Sequence, residues 1–277
     1  AKSKNGVISR TAGTLAKTSD GKPAMLQIAS DGGLLKNAIY RDAIQIWPAK
    51  RREVIIDFSD PALKGKTLYL VNSMLQLDGK KPTFAGVKGF DPNYAIPLIK
   101  ICVDVPMNVG EVDNSDTLPK IAGKTLRNIP SKSGNIAATP QFVLNSNNAL
   151  NTTGPYSAET QWVINGLEFD AKTPLHTVTE ERPEQWTIIN NGGGWTHPLH
   201  IHQEEHQVIA RAGSISPHPE DGPPAVGKED VVALDPGETV TIYRNFRTFA
   251  GKFVAHCHNL AHEDHNMMFG WTIRPKP

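Results

Sequence analysis

Apolar and polar residues alternate in short runs along most of this chain, and turn-forming clusters separate the runs. One series lies at residues 54–58, 67–71, 99–105, 141–144 and 161–164, and a second at 185–189, 207–210, 239–243 and 252–255. Each run is rich in β-branched or aromatic residues and is bounded by Gly, Pro, Asn or Asp, the pattern of half-buried strands. Asp235-Pro236-Gly237-Glu238 is a tight-turn sequence leading straight into the run at 239–243. No helix of length is expected, because no segment sustains a 3.6-residue apolar period. The pattern predicts an all-β protein built as an antiparallel Greek-key β-sandwich.

The stretch 108–138 breaks the alternation with polar residues, Gly and Pro, and is expected to link two units. Residues 139–277 hold enough strands for a complete domain. Residues 1–107 read as the C-terminal part of a preceding one, so the strands at 54–58 and 67–71 should expose unpaired edges.

Composition narrows the function classes. The 277 residues carry 29 basic and 28 acidic side chains, a net charge of +1, which points to neither nucleic acid nor a membrane surface. No apolar run is long enough to span a bilayer, and the opening Ala1-Lys2-Ser3-Lys4 has no signal-peptide pattern. With only two cysteines, Cys102 and Cys257, this is not a disulfide scaffold. Cys102 sits in an apolar run and is expected to be a buried free thiol on a strand.

Histidine carries the chemical signal. Residues 1–196 contain only His176, whereas His197-Pro198-Leu199-His200-Ile201-His202 and the segment 256–267 are dense in it. The second segment follows a strand-like run, so His256 and His258 should point one way and Cys257 the other. His262 and Met267 come five and ten residues after Cys257. A thiolate, two imidazoles and a weak thioether form the ligand set of a blue-copper centre, with His197 as the distant imidazole. Pro198 is expected to bend the chain after His197, leaving His200 and His202 on a shared face to meet His256 and His258 at a second site. A structural zinc site would want more Cys or Cys/His pairs at finger spacing.

These motifs, with weaker similarity at Asp31-Gly32-Gly33 and residues 52–58, resemble the multicopper oxidases, most closely the bilirubin oxidase and bacterial spore-coat laccase branch. The resemblance implies cupredoxin-like domains and extends loosely over nearly the whole chain. It implies His197, Cys257, His262 and Met267 as type 1 copper ligands, His200 at type 2 copper, and His202, His256 and His258 at the type 3 pair. Electrons would enter singly at type 1 copper, often by way of His262, and cross the Cys257 backbone to a trinuclear cluster that reduces O2 to water. The resemblance also implies a proton-supplying role for Glu263, a substrate-side place for Trp195 and an extracytoplasmic location, periplasmic or secreted. The plainer readings are a solvated loop carboxylate and simple packing. Glu204 and Glu205 are expected to be exposed charge that could at most face a cationic reductant.

The family pattern uses eight cluster histidines, four of them from two His-x-His motifs in a first domain, and residues 1–196 contain neither motif. The expectation is a partner, either an N-terminal chain or a cleavage fragment, that brings those motifs. The rival from another class is a blue-copper electron carrier with only the type 1 site functional, with a copper-storing module behind it. His200, His202, His256 and His258 argue against the carrier. The reductant, a small molecule or a metal ion, is left open by the sequence.

Overall fold

The computed structural model describes residues 14–74, 96–104, 124–129, 135–147, 161–191, 193–215, 218 and 226–277. It is nearly all-β. The first unit contains β1 (Met25–Ser30), β2 (Gly33–Arg41) and β3 (Glu53–Ile55) in a sheet of order β2-β1-β3. A separate two-stranded ribbon follows, made of β4 (Thr67–Asn72) and β5 (Ile96–Cys102).

The second unit is a sandwich of two five-stranded sheets. One holds β11 (His206–Ala212), β13 (Thr239–Arg244), β9 (Glu184–Asn190), β6 (Gln141–Asn147) and β7 (Gln161–Ile164), in that order. The other holds β12 (Val231–Leu234), β10 (His197–Ile201), β14 (Gly251–Cys257), β15 (Met268–Arg274) and β8 (His176–Thr179). The one helix among the described residues, α1 (Leu260–Asp264), is a single turn between β14 and β15.

Strict alternation builds the core. In β9, Trp186 and Ile188 are buried while Gln185, Thr187 and Ile189 are less so. In β15, Phe269, Trp271 and Ile273 face inward. Phe142 stacks on Phe269 at 4.3 Å, and Trp186 meets Trp271 edge-on at 5.4 Å, so aromatic residues from both sheets fill the interlayer. β12 departs from that alternation throughout, with all four residues buried. The first unit covers its outer face, which is why it lacks a polar register.

Two sequence expectations change here. The sandwich is not purely antiparallel: β6 runs parallel to β9, and β8 runs parallel to β15. Neither pair is consecutive in the chain, β7 and β8 lying between the first two strands and β9 to β14 between the second two, so their strands need not reverse direction. Cys102 is free but exposed, because the ribbon that carries it has no covering layer in the described structure. The ribbon also exposes Tyr69, Leu98 and Ile99. Most of the expected linker 108–138 lies outside the described residues. Its described piece at 124–129 runs along β2, with Leu126 N–H donating to the Lys36 carbonyl at 2.8 Å.

The two units meet along residues 226–231. Gly32 N–H donates to the Lys228 carbonyl at 2.9 Å, and the Ser30 hydroxyl donates to the same oxygen at 2.6 Å. A Cβ on Gly32 would lie 2.5 Å from that carbonyl oxygen, so only glycine fits. Beside this seam sits a buried polar cluster. Lys50 Nζ donates to Glu229 at 3.1 Å and to the Val231 carbonyl at 2.6 Å, and Arg52 donates to Glu229 at 3.0 Å and lies 3.4 Å from Asp31.

Burial pushes the Glu229 carboxyl up to about 8; Lys50 and Arg52 oppose that shift and Asp31 adds to it. A carboxyl raised in the folded state favours folding below its ordinary 4.5 and loses that contribution as pH climbs toward 8. Removing Lys50 therefore strands more charge at high pH. Lys50→Ala should destabilise the chain by about 3–5 kcal/mol at pH 8, and by less at pH 5. Urea unfolding at both pH values checks this, and equal losses would contradict the assignment of Lys50 as the counter-charge to Glu229.

Candidate metal centre

The centre is built on the pairing of β10 with β14. Leu199 lies opposite Cys257, His200 opposite His256, and Ile201 opposite Ala255. Because side chains alternate, His197, Leu199 and Ile201 share the core face with Cys257, while His200 and His202 share the other face with His256 and His258. Pro198 does not bend the chain away, contrary to expectation. It pairs opposite Ala233 inside a regular β10. The odd spacing between His197 and His200 suffices to place them on opposite faces.

On the core face three atoms converge. Cys257 Sγ lies 3.5 Å from His197 Nδ1 and 3.7 Å from His262 Nδ1, and the two Nδ1 atoms are 3.1 Å apart. A point equidistant from the three lies about 2.0 Å from each, the length of a bond from a first-row metal ion to imidazole nitrogen and slightly short of one to thiolate. All three residues are buried. His197 Nε2 is buried with no hydrogen-bond partner among the described residues, as expected when packing rather than a protein acceptor holds the ring.

Asn259 N–H points at Cys257 Sγ at 3.4 Å, and Cys257 N–H donates to the Met267 carbonyl at 3.0 Å. Met267 N–H in turn donates to the His262 carbonyl at 2.9 Å, so the loop carrying His262 and Met267 closes back on the strand. Met267 is fully buried in the same core cluster as Cys257.

The electrostatics fit a cation. Burial pushes the Cys257 thiol up to about 12 in the metal-free protein. Burial, with each ring's histidine neighbour, pulls His197 down to about 3 and His262 down to about 4. The site therefore holds two neutral imidazoles and a thiol that only a positive ion would readily deprotonate.

The second group lies on the other face. His202 Nε2 is 3.2 Å from His256 Nε2, and the His200 ring is 4.8 Å from His202, 5.5 Å from His256 and 5.7 Å from His258. Burial, then His200 and His256, pulls His202 down to about 4. The His200 Nδ1 atom lies 3.2 Å from the Asp230 carbonyl and 3.5 Å from its carboxylate, which Arg51 of the first unit grips at 2.6 Å. Burial alone would raise Asp230, but the His200 ring and the Arg51 guanidinium outweigh it and hold its carboxyl below the ordinary range.

Sequence reading overlooked Asp230, since an aspartate 30 residues from His200 carries no spacing signal. It also overlooked Trp162. That indole covers the His262 ring at 3.7 Å and meets His197 edge-on at 5.5 Å, closer to His262 than Trp195, whose ring stands edge-on at 5.2 Å. In sequence, Trp162 is one more apolar strand residue.

Glu263 lies on α1, half-buried, with Oε1 3.3 Å from His256 Nδ1, so it faces the second group rather than open solvent. Glu204 and Glu205 are not exposed charge. Glu204 is buried and accepts from Arg247 Nε at 2.8 Å, while Glu205 pairs with Lys228 at 2.8 Å and Arg127 at 3.0 Å. Both are occupied internally, so neither is left to meet a reductant.

A further buried group, His218, Asp235 and Glu238, also has ligand-type atoms close together. Its carboxylates are taken by Arg211, Ser214 and the amides of Ile215 and Asp235, and His218 stacks on Trp47 of the first unit at 6.2 Å. It is a hydrogen-bonded cluster of the second unit, tied to the first by that ring stack.

With this geometry in place, comparison with known proteins is informative. The family model described as "Multicopper oxidase" matches residues 141–277. The chain is 35% identical over 262 residues to a bilirubin oxidase of Albifimbria verrucaria, covering 90% of this chain and 39% of that protein. It is 31% identical over 274 residues to a laccase of Bacillus stratosphericus, covering 90% of this chain and 46% of that protein. A multicopper oxidase structure from Campylobacter jejuni shares the fold with a TM-score of 0.66 at 22% identity, over 91% of this chain and 49% of that one. The chain belongs to the multicopper oxidase family and corresponds to its C-terminal region. It spans less than half the length of the two curated relatives. Copper is the cofactor that the family implies, and the histidine and cysteine groups described above suit it.

The charge states give a measurable consequence. Near neutral pH the thiol carries its proton and both core-face imidazoles are already neutral, so filling this group should release about one proton per chain. Calorimetric titration with copper in two buffers of different ionisation enthalpy counts that proton. Release of none would mean that Cys257 is not a ligand.

Proposed function

We propose that this chain is part of a laccase- or bilirubin oxidase-like multicopper oxidase that takes single electrons from a reducing substrate and delivers them to dioxygen. The observation that carries this reading is the strand end His256-Cys257-His258, whose central side chain belongs to one ligand group and whose neighbours belong to the other. Copper, when bound, supplies one-electron acceptance at the Cys257 group and reduction of O2 to water at the histidine group. In this reading His197, Cys257, His262 and Met267 hold type 1 copper, His200 holds type 2 copper, and His202, His256 and His258 hold the type 3 pair.

The chain's own residues have definable tasks. Cys257 anchors the thiolate, and one peptide unit on either side separates its Cα from those of His256 and His258, which keeps the covalent path between the groups short. Trp162 and Trp195 shield the His262 ring from water and fix its plane. Glu263 stands beside His256, where it is placed to relay the protons that forming water from O2 consumes. Asp230 accepts from His200 and keeps that ring oriented. An electron carrier would need none of the four imidazoles on the second face.

Four cluster imidazoles are present here, and the family pattern uses eight. We therefore place beside this chain a polypeptide region bearing two His-x-His motifs. The exposed ribbon at Tyr69, Leu98 and Ile99 offers apolar surface of the kind a permanent partner covers. An extracytoplasmic location, periplasmic or secreted, accompanies this reading. No helix among the described residues is long and apolar enough to cross a membrane.

Two measurements test the proposal. Cys257→Ser should abolish the thiolate-to-copper absorption and all turnover, and a variant that stayed blue and active would disprove the type 1 assignment. In an oxygen electrode with a phenolic reductant, the 277-residue chain alone should consume no O2 although it binds copper at the Cys257 group. Full oxidase activity from a monodisperse preparation of this chain alone would refute the need for a partner.

A further inference from the structure

The backbone immediately after His202 is strained. Gln203 has φ of 75°, a left-handed conformation that a residue with a Cβ adopts reluctantly, and Glu204 N–H donates back to the His202 carbonyl at 3.1 Å. This is a three-residue turn of the positive-φ kind, which is rare because it is intrinsically unfavourable. Such a turn persists only where its surroundings hold it.

The holder is Arg244, the last residue of β13 and fully buried. Its guanidinium carbon lies 5.0 Å from the Trp186 ring, 5.4 Å from Phe246 and 4.9 Å from Trp271. From that aromatic box Nη2 donates to the His202 carbonyl at 2.9 Å and also to the Glu204 carbonyl. Arg244 makes no ion pair among the described residues. An interior cation without a bonded carboxylate is an expensive device for stability alone. The two carbonyls it grips are those that flank Gln203. Arg247 braces the turn from outside, with Nε on the Glu204 carboxylate at 2.8 Å.

His202 is held on its other side by its own N–H, which donates to the Val254 carbonyl at 3.1 Å. The peptide units on its two sides are thus pinned, the preceding one from β14 and the following one from β13. The imidazole that hangs from it reaches His256 Nε2 at 3.2 Å, a contact that a modest rotation of the turn would break. We propose that Arg244 is a positioning residue for His202: its buried guanidinium holds the strained turn at Gln203 and so aims the His202 imidazole into the histidine group. The inference rests on the reading that this group holds metal.

The test uses the full chain with copper at the Cys257 group, whose blue colour serves as an internal control on the opposite face. Arg244→Lys keeps a charge but loses the fork. It should speed amide exchange at Glu204 by about tenfold while β9 amides stay protected. It should also weaken zinc binding at the histidine group by about tenfold, with the blue absorption retained. Adding Gln203→Gly, which relaxes the positive φ, should return zinc affinity to within about threefold of the parent chain.

Unchanged exchange at Glu204 would overturn the proposal. So would parallel loss of β9 protection and blue colour, which would mark Arg244 as merely structural, or failure of the glycine to rescue. If Arg244→Lys does not fold, Arg244→Met, which fills the aromatic box without donors, gives the same readouts. If the parent chain binds no zinc at the histidine group, the metal-holding reading fails. Exchange at Glu204 together with the separation of the His202 and His256 rings by NMR then decides the positioning role alone.

Discussion

Everything in the candidate centre depends on the two-residue period of a β-strand. β10 and β14 are neighbours in register, with Leu199 opposite Cys257 and His200 opposite His256. On such a pair, side chains one residue apart face opposite ways and directly opposed residues face the same way. Four ligand-type side chains on two strands, with His202 and His258 just beyond their ends, are thereby sorted into two groups with no special backbone geometry. A slip of one residue in this register would send Cys257 to the histidine face and dismantle both groups together. The packing that fixes the register is therefore part of the site. Leu199, Ile201, Ala255 and Cys257 all sit in the same apolar cluster, and that burial cannot be kept under a slip.

The faces differ in what surrounds them, and their chemistry follows. The core face is dry: His197 and Cys257 are fully buried, Trp162 lies over His262, and among the described residues no carboxylate is hydrogen-bonded to the three ligand atoms. There a thiol stays protonated and imidazoles stay neutral until a cation arrives. The other face is polar, with the Asp230 carbonyl 3.2 Å from His200 Nδ1 and a Glu263 carboxylate oxygen 3.3 Å from His256 Nδ1. Asp230 is itself held by Arg51, so the orientation of one histidine is tied to a residue of the first unit. The seam at Gly32, Lys50 and Glu229 adjoins this contact, which makes the joint between the units a support for the site as well as for stability.

How much of this was legible in the sequence follows from the range of each interaction. Local alternation marked nine strand runs, and the opposed directions of Cys257 and its two neighbouring histidines could be read from the spacing alone. What the sequence hid was non-local or conditional. β12 has no alternating register because the first unit covers it, so Val231–Leu234 gave no strand signal of the usual kind. Cys102 looked buried because its run is apolar, yet the ribbon carrying it lacks a covering layer. Glu204 looked exposed because it is charged, yet Arg247, more than 40 positions away, pairs with it inside. Pro198 suggested a bend, but a strand needs no bend to turn His197 and His200 apart. Asp230 and Trp162 were invisible for a related reason: a second layer of support is defined by contact in space, and one chain carries no spacing rule for it.

The same distinction explains where strain appears. Candidate ligands inside regular strands, such as His200 and His256, inherit their direction from the ladder and need little further restraint. His202 lies one residue past the end of β10, where the ladder no longer dictates direction, and there the structure places a left-handed residue gripped by a buried cation. His262 also lies outside a strand, on a one-turn helix too short to be stable by itself. Its direction is set by the closed hydrogen-bond circuit among His262, Met267 and Cys257 and by the indole of Trp162. His202 and His262, two candidate ligands outside strands, thus each have a restraint that includes a residue distant in sequence, Arg244 for one and Trp162 for the other. Those residues, rather than the histidines, are where substitutions should separate a well-folded domain from a well-formed centre.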